Sequence, residues 1–253
     1  MKAAGGDAAL SVEGVHLRYG GLAALSGVAL EVRAGQVSGL IGPNGAGKTS
    51  LFDVVTGLTR PNSGRVLLGG HDVTRKSPTR RARLGLARTF QRLELFGSLT
   101  VRENIQVAAE AALPFWHIGA RSAEALADSQ IERTGLEQVA NARVDTLPTG
   151  SARLVEVARA LATLPTVLLL DEPASGLDPG ETAELAELLV RLAKEGLAVL
   201  LVEHDVDLVM RTCSTLTVLE RGRVIANGAP PEVRDLPIVQ EAYLGTTSGG
   251  STP

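Results

Sequence analysis

Apolar positions in the second half of the chain follow two alternating patterns. The segments TVLLLDE, ending at Glu172, and LAVLLVEHD, ending at Asp205, are continuous apolar runs typical of strands buried on both faces. Around them, apolar residues recur at helical spacing at Leu154, Val157, Ala158 and Leu161, and again at Leu185, Leu188, Leu189 and Leu192. Strands that alternate with helices predict a parallel sheet with crossover helices.

The first third has a different pattern, with short β-prone segments separated by glycine. ALSVEGVHLRY, LSGVALEVRAG and QVSGLIG predict strands of a β-rich lobe. QVSGLIG leads into a glycine-rich turn and a helix that begins near Lys48 and stops before Pro61. GRVLLGGHDVT predicts another short strand with a turn, and RLGLARTFQ predicts a strand that ends on Gln91.

From Ser98 to about Ala140 the chain becomes alanine-rich and helical, with VRENIQVAAEAAL and SAEALADSQIERTG joined by LPFWHIG. We therefore predict one domain, 1–245, in which a core of 10–91 and 162–245 carries an inserted helical subdomain at about 92–161. The small polar ends, 1–9 and 246–253, are predicted to be flexible tails.

Composition excludes several classes of function. The formal net charge is −3 on 253 residues, and basic and acidic residues are interspersed, so the sequence has no basic patch of the kind that binds nucleic acid. No apolar run approaches the roughly 18 residues that a membrane helix needs, and the N-terminus does not have the pattern of a secretion signal. The one cysteine, Cys213, fits a reducing compartment.

GPNGAGKT has the spacing of a phosphate-binding loop and stands between a predicted strand and a predicted helix. Glycines let backbone N–H groups turn toward phosphate oxygens, Lys48 reaches the terminal phosphates, and the Thr49 hydroxyl is a ligand suited to Mg²⁺. The predicted nucleotide contacts are Gly42, Pro43, Asn44, Gly45, Ala46, Gly47, Lys48, Thr49 and Ser50.

Acidic and polar residues follow the predicted parallel strands. Asp171 and Glu172 close TVLLLDE at the edge where ligands of open α/β sheets bind, so we expect Asp171 to hold Mg²⁺ and Glu172 to activate a water. His204 follows the next strand and is expected beside Glu172. Gln91 is a weaker candidate for contact with Mg²⁺ or the attacking water. Tyr19 either stacks on a base or belongs to the core.

Taken in this order, these elements resemble the ATP-binding subunits of ABC transporters over residues 10–245. The resemblance implies the P-loop ATPase fold, with a mainly parallel sheet, an N-terminal antiparallel β lobe and an inserted helical subdomain. It also implies ATP and Mg²⁺, a base-stacking role for Tyr19, and catalytic roles for Glu172, His204 and Gln91. The D-loop of this family matches Ser175, Gly176, Leu177 and Asp178.

Within that family, GLARTFQRLELFGSLTVRENI and the tail RGRVIANGAPPEVRDLPIVQEAYLG resemble the subunits that energise branched-chain amino acid importers. Urea or amide importers are close relatives. The resemblance implies transmembrane permease subunits, a second and different ATP-binding chain, a place on the cytoplasmic face of the membrane, and only indirect contact with a solute-binding protein. The alternatives are a soluble ABC ATPase without transport and a non-hydrolysing regulatory module.

We expect RLELFGSLT, residues 92–100, to contact the permease, because apolar Leu93, Leu95 and Phe96 lie where a partner helix would dock. The alternative is that these side chains pack into the chain's own core.

The sequence departs from the family at its signature, usually LSGGQ, which binds the nucleotide held by the opposite subunit. Here the segment is Leu147, Pro148, Thr149, Gly150 and Ser151. Pro148 removes a hydroxyl and a backbone N–H, and each lost charge-assisted hydrogen bond to phosphate costs roughly 1.5 to 3 kcal/mol. We therefore expect an asymmetric pair in which LPTGS caps a slower site. The alternative is that LPTGS works fully through backbone amides and helix potential.

Overall fold

The computed structural model describes residues 8–112 and 120–244, so most of both predicted tails and the predicted connection LPFWHIG lie outside the described residues. The predicted N-terminal tail is two residues too long, because Ala8 already pairs with Arg33 in an antiparallel strand. The strands of the described residues are β1 Ala8–Tyr19, β2 Leu22–Arg33, β3 Val37–Ile41, β4 Ser63–Leu68, β5 His71–Asp72, β6 Leu86–Arg88, β7 Val167–Asp171, β8 Ala198–Val202, β9 Thr215–Glu220 and β10 Arg223–Gly228.

Helices follow most of the central strands, as the crossover pattern predicts. They are α1 Lys48–Thr56, α2 Pro78–Ala82, α3 Val101–Ala112, α4 Ala120–Thr134, α5 Thr149–Leu161, α6 Pro179–Lys194, α7 Val206–Thr212, α8 Pro230–Arg234 and α9 Pro237–Leu244, with 3₁₀ turns at Glu137–Val139 and Val144–Thr146. Among the described residues, none of these helices is long and apolar enough to cross a membrane.

The larger sheet has the strand order β10-β9-β3-β8-β7-β6, and all its pairings are parallel except that of β10 with β9. Every residue of β7 and β8 is buried, which explains why these strands read as continuous apolar runs. Asp171 lies opposite Val202, so the strand ends that precede Glu172 and His204 are neighbours. The predicted fold class is confirmed for this sheet.

The smaller sheet is antiparallel, in the order β2-β1-β4-β5, and forms the N-terminal lobe. Its buried face packs with α1 and one face of the larger sheet in a single apolar cluster that includes Val28, Phe52 and Leu169. A second cluster on the other face of the larger sheet joins it to α6 and α7 through Leu185, Val199 and other residues. The helix α1 is therefore held between two sheets.

Helices α3, α4 and α5 pack around their own apolar cluster, which includes Ile105, Ala127 and Val155. The strand predicted over residues 83–91 extends three residues too far at each end, because β6 is Leu86–Arg88 and Gln91 lies in the following loop. Beyond the strand, the Arg153 guanidinium on α5 holds the loop by donating to the carbonyl oxygens of Phe90 and Gln91, at 3.2 and 2.7 Å.

Arg81 fixes the C-terminal end of α1. Its side chain is almost fully buried, and its Nη1 donates to the carbonyl oxygens of Val54 and Val55, each at 2.6 Å. These carbonyl groups belong to the last turn of the helix, where hydrogen-bond acceptors are otherwise left without intrahelical partners. A cation at the carboxyl end of a helix is also favoured by the helix dipole, so Arg81 stabilises α1 in two ways.

Candidate nucleotide-binding site

The phosphate-loop sequence forms a tight turn between β3 and α1. Gly47 caps the helix with a φ of 107°, a left-handed conformation that favours glycine. A Cβ added to Gly42 would lie 2.0 Å from the carbonyl oxygen of Leu219, so no other residue fits there without a shift of the backbone. The turn thus leaves the N-terminus of α1 directed at the space beside the sheet, as anion-binding loops require.

Lys48 lies inside this turn with 8% of its surface exposed. Its ammonium donates to the carbonyl oxygens of Gly42 at 2.6 Å and Pro43 at 3.2 Å. Burial lowers the pKa of Lys48, and the charges of Glu172 and Asp171 oppose that shift. A buried ammonium that donates to neutral carbonyl groups forms stronger hydrogen bonds when an anion such as phosphate replaces them.

A cavity of about 630 Å³ opens beside the loop. It brings together nearly all the predicted nucleotide contacts, and its lining includes Tyr19, Asn44, Gly45, Ala46, Gly47, Lys48, Thr49, Ser50, Gln91, Asp171 and Glu172. Tyr19 is 50% exposed, so its ring is not part of the core and remains available for stacking. Gly42 and Pro43 do not line the cavity but contact Lys48 from behind.

Glu172 is fixed at the end of β7 by two side chains. Its Oε1 lies 2.6 Å from His204 Nε2, and its Oε2 accepts a hydrogen bond from Gln91 Nε2 at 2.9 Å. The backbone of Glu172 has a φ of 50°, an uncommon conformation for a residue other than glycine. Such strain is concentrated at functional sites, where the surrounding structure holds the residue in place.

Asp171 lies deeper, and Arg88 contacts it. Arg88 Nη2 donates to Asp171 Oδ2 at 2.9 Å. Burial raises the pKa of Asp171, and the Arg88 charge opposes the rise. No motif marks Arg88 in the sequence, although it stands on the strand next to β7. Sequence reasoning missed this residue.

Glu203 is a second residue that sequence reasoning missed. It is 4% exposed and accepts backbone hydrogen bonds from Ala174 at 2.8 Å and His204 at 3.0 Å. It therefore joins the loop after Glu172 to the loop that carries His204. Burial raises the pKa of Glu203, and these backbone donors oppose the shift. The sequence does carry one signal for Glu203, because it is an acidic residue directly after the apolar strand LAVLLV.

The signature segment lies elsewhere, because none of residues 147–151 lines the cavity. Helix α5 begins at Thr149 with Pro148 as its N-cap, and Pro148 makes no side-chain cap hydrogen bond. The D-loop packs close by, since a Cβ on Gly176 would lie 3.2 Å from Thr149 Cγ2. Asp178 caps α6 in a capping box with Glu181. The signature segment and the D-loop thus lie together, apart from the cavity beside the phosphate loop.

The oxygen ligands that line the cavity are suited to a nucleotide bound with a divalent cation. Thr49, Gln91 and Asp171 supply hydroxyl, amide and carboxylate oxygens, which are the hard ligands that Mg²⁺ prefers. Such sites use one or two protein groups together with phosphate oxygens rather than a full protein cage.

Comparison with known proteins decides the family. The model of the ABC transporter family matches residues 25–175, which is more than half of the chain. The chain belongs to the ABC transporter family. It is an ATP-hydrolysing transport subunit, so the predicted family and enzyme class are confirmed, as is the predicted ABC ATPase fold.

Two relatives are similar over nearly their whole length. The chain is 40% identical over 248 residues to the high-affinity branched-chain amino acid transport ATP-binding protein BraF of Pseudomonas aeruginosa, covering 93% of this chain and 97% of BraF. The same values hold for the LivG protein of Escherichia coli K12, which carries the same description.

Solved structures agree with this assignment. A nucleotide-free ATP-binding cassette from an ABC transporter superposes with a TM-score of 0.84 at 30% identity, covering 94% of this chain and 99% of that chain. A cassette in its ADP conformation gives a TM-score of 0.85 with the same identity and coverage. ATP-family nucleotides are therefore the ligands of this fold, in agreement with the predicted ATP.

Proposed function

We propose that this chain hydrolyses ATP to drive the uptake of branched-chain amino acids through a membrane permease. The observation that carries the hydrolytic part is the Glu172 carboxylate, which Gln91 and His204 hold at the cavity beside the phosphate loop. The substrate class is supported by the similarity to the branched-chain amino acid transport ATP-binding proteins of Pseudomonas aeruginosa and Escherichia coli.

In this proposal the cavity binds ATP along its length. The Tyr19 ring stacks on the adenine, and the backbone N–H groups of residues 42–50 surround the phosphates. The Lys48 ammonium exchanges the carbonyl oxygens of Gly42 and Pro43 for phosphate oxygens. This exchange favours binding because a charge-assisted bond replaces a bond to a neutral acceptor.

Mg²⁺ would be held by the Thr49 hydroxyl together with Asp171 and Gln91. When bound, the ion neutralises charge on the phosphate oxygens. Asp171 is suited to this role because it lies at the end of a buried strand, where its backbone is fixed.

Hydrolysis follows from the position of Glu172. Its carboxylate accepts a proton from a water while the water oxygen forms a bond to the γ-phosphorus. The bond between the γ-phosphorus and the oxygen bridging to the β-phosphate breaks, and ADP leaves with that oxygen. His204 and Gln91 keep the carboxylate in place and contact the water and the transferred phosphate.

The signature and the D-loop act on a nucleotide held by another subunit. Leu147, Pro148, Thr149, Gly150 and Ser151 lie outside this chain's own cavity, and Gly176 of the D-loop, residues 175–178, lies next to Thr149. We propose that the partner is a different ATP-binding chain with a complete signature. This chain's cavity then forms the faster site, and LPTGS caps the slower one.

A groove with a volume of about 410 Å³ between α2, β6 and α5 is the proposed docking site for the permease at the cytoplasmic face of the membrane. Phe90 lines the groove and is 42% exposed. In the predicted contact segment, Leu93 and Phe96 are 42% and 48% exposed, whereas Leu95 packs against the helical subdomain. Exposed apolar side chains of this kind favour contact with a partner.

Uptake of labelled leucine by cells that carry Glu172→Gln tests the proposed function. The change keeps the size of the side chain but removes the base, so hydrolysis should fall by roughly 100-fold or more and leucine uptake with it. Glu187→Gln, on an exposed position of α6, is the matched control and should leave uptake unchanged. If Glu172→Gln instead abolished urea uptake and left leucine uptake normal, urea would replace branched-chain amino acids as the proposed substrate.

The proposed partners are tested by purification of tagged Glu172→Gln from detergent-solubilised membranes with ATP and Mg²⁺ present. Two permease subunits and a second ATP-binding chain should copurify. Recovery of only soluble proteins would contradict the proposed coupling to a permease, and recovery of permease with this chain alone would contradict the mixed pair.

A further inference from the structure

Arg88 is a buried cation that joins two elements of the nucleotide site. Its side chain is 8% exposed. Nη1 forms an ion pair with Asp53 on α1 at 2.8 Å, and Nη2 forms an ion pair with Asp171 on β7 at 2.9 Å. One guanidinium therefore connects the helix that follows the phosphate loop to the carboxylate at the end of β7.

Two aromatic rings restrict the same guanidinium. Its central carbon lies 5.3 Å from the centre of the Phe52 ring and 4.9 Å from that of Phe90. Both distances lie within the range of cation–π attraction, which is stronger for a desolvated cation. The planar fork of arginine can bond two carboxylates at once while it contacts rings, whereas a lysine ammonium has no such planar fork.

The contact leaves part of Asp171 available. Arg88 engages Oδ2, whereas Oδ1 makes no hydrogen bond to another side chain among residues 8–112 and 120–244. The carboxylate is thus held from the side of β6, while Asp171 also lines the cavity beside the phosphate loop.

We propose that Arg88 is a positioning residue that holds the Asp171 carboxylate ready for a divalent cation bound with ATP. Asp53 and the two rings orient Arg88, and Arg88 in turn orients Asp171. Without it, Asp171 would have to adopt its position when the ion binds, and the ordering of that side chain would weaken binding. This inference rests on the proposed role of Asp171 as a metal ligand.

Arg88 also lines the proposed permease groove together with Phe90. The carboxylate at the metal site is therefore one side chain away from that surface. A purely structural role for the ion pairs would stabilise the fold without changing the affinity for metal.

The test measures Mn²⁺ binding by electron paramagnetic resonance, with ATP present, in the full chain carrying Glu172→Gln to prevent turnover. Arg88→Met retains an apolar stem and removes the charge. We expect Mn²⁺ affinity to fall by about tenfold, whereas Arg80→Met, at an exposed position of α2, leaves it unchanged. Thermal unfolding without nucleotide checks that each variant is folded.

A change of less than about threefold in Mn²⁺ affinity for Arg88→Met would overturn the inference, and a larger loss supports it. If Arg88→Met does not fold, Arg88→Gln, which keeps an amide donor, is judged by the same limit. Failure of the Glu172→Gln chain itself to bind Mn²⁺ with ATP would instead contradict the proposed nucleotide site, so the two failures are distinguishable.

Discussion

In the proposed function, the phosphate loop and the signature segment are two helix N-termini for the same ligand, but only the first is enclosed by this chain's own residues. At α1, a glycine-rich turn wraps the helix end, and Lys48 is buried beside it. At α5, the cap is Pro148, and both Pro148 and Thr149 are exposed; neither helix end has a side-chain cap hydrogen bond. Both ends offer free N–H groups to an anion. The second end has no surrounding turn of this kind, which is why we propose that it acts together with another subunit.

The charges beside the two helix ends also differ. An ammonium lies at the first, whereas a carboxylate lies at the second, because a Cβ on Gly150 would be 2.1 Å from Glu181 Oε1. A carboxylate near a helix N-terminus is favoured by the helix potential and competes with an incoming phosphate. We therefore expect the proposed binding of nucleotide by α5 to be weak until a second surface supplies further contacts.

The largest effect should come from removing the cation of the first region. Lys48→Ala deletes the buried ammonium, and two lost charge-assisted contacts with phosphate weaken ATP binding by roughly 100-fold. Fluorescent ATP analogues measure the affinity directly. Lys194→Ala, at an exposed position on α6, is the control and should bind normally. Normal affinity in Lys48→Ala would show that α1 does not hold the phosphates through this side chain.

Pro148→Ser should make the second region more like a complete signature. The change restores a hydroxyl and a backbone N–H at the N-cap of α5, where serine is preferred. In a pair made only of this chain, one regained charge-assisted hydrogen bond should raise steady ATPase activity by about tenfold or more. Activity that stays unchanged would favour the alternative that LPTGS works fully as it stands.

Gly150→Ala tests the contact between α5 and α6. The added methyl group displaces the Glu181 carboxylate and breaks the capping box of α6, so the free energy of unfolding should fall by about 1 kcal/mol. Chemical denaturation measures the loss. In a Glu181→Ala background the same change should cost much less, because the side chain that collides is gone. Equal costs in both backgrounds would contradict the contact.

The motifs of both regions were readable from the sequence, whereas the distant contacts that support the first region were not, for a physical reason. The phosphate loop is a continuous motif, and the acidic residues at strand ends meet because parallel strands share one carboxyl edge. Arg88 and Asp171 are 83 positions apart, and Glu203 and Ala174 are 29 apart, so no local periodicity marks either pair. The loop after β6 was predicted as strand, and its contact with Arg153, 62 positions from Gln91, has no local mark either.

The smallest expected effect concerns the outer side of the phosphate loop, where helix α9 packs. The backbone N–H of Gly42 donates a hydrogen bond to the Tyr243 hydroxyl, and burial raises the pKa of Tyr243 to about 12. Tyr243→Phe removes this bond, which is worth about 0.5 to 1.5 kcal/mol, so ATP affinity should fall by roughly two- to tenfold.

The pH dependence sharpens this prediction. An acid whose pKa is raised to about 12 keeps its proton at lower pH, so the Tyr243 hydroxyl is neutral throughout roughly pH 6 to 10. The ratio of ATP affinities between the original chain and Tyr243→Phe should therefore be constant over that range. A ratio that approaches one near pH 10 would mean that the hydroxyl ionises there. Its environment would then be more polar than the packing of α9 against the phosphate loop implies.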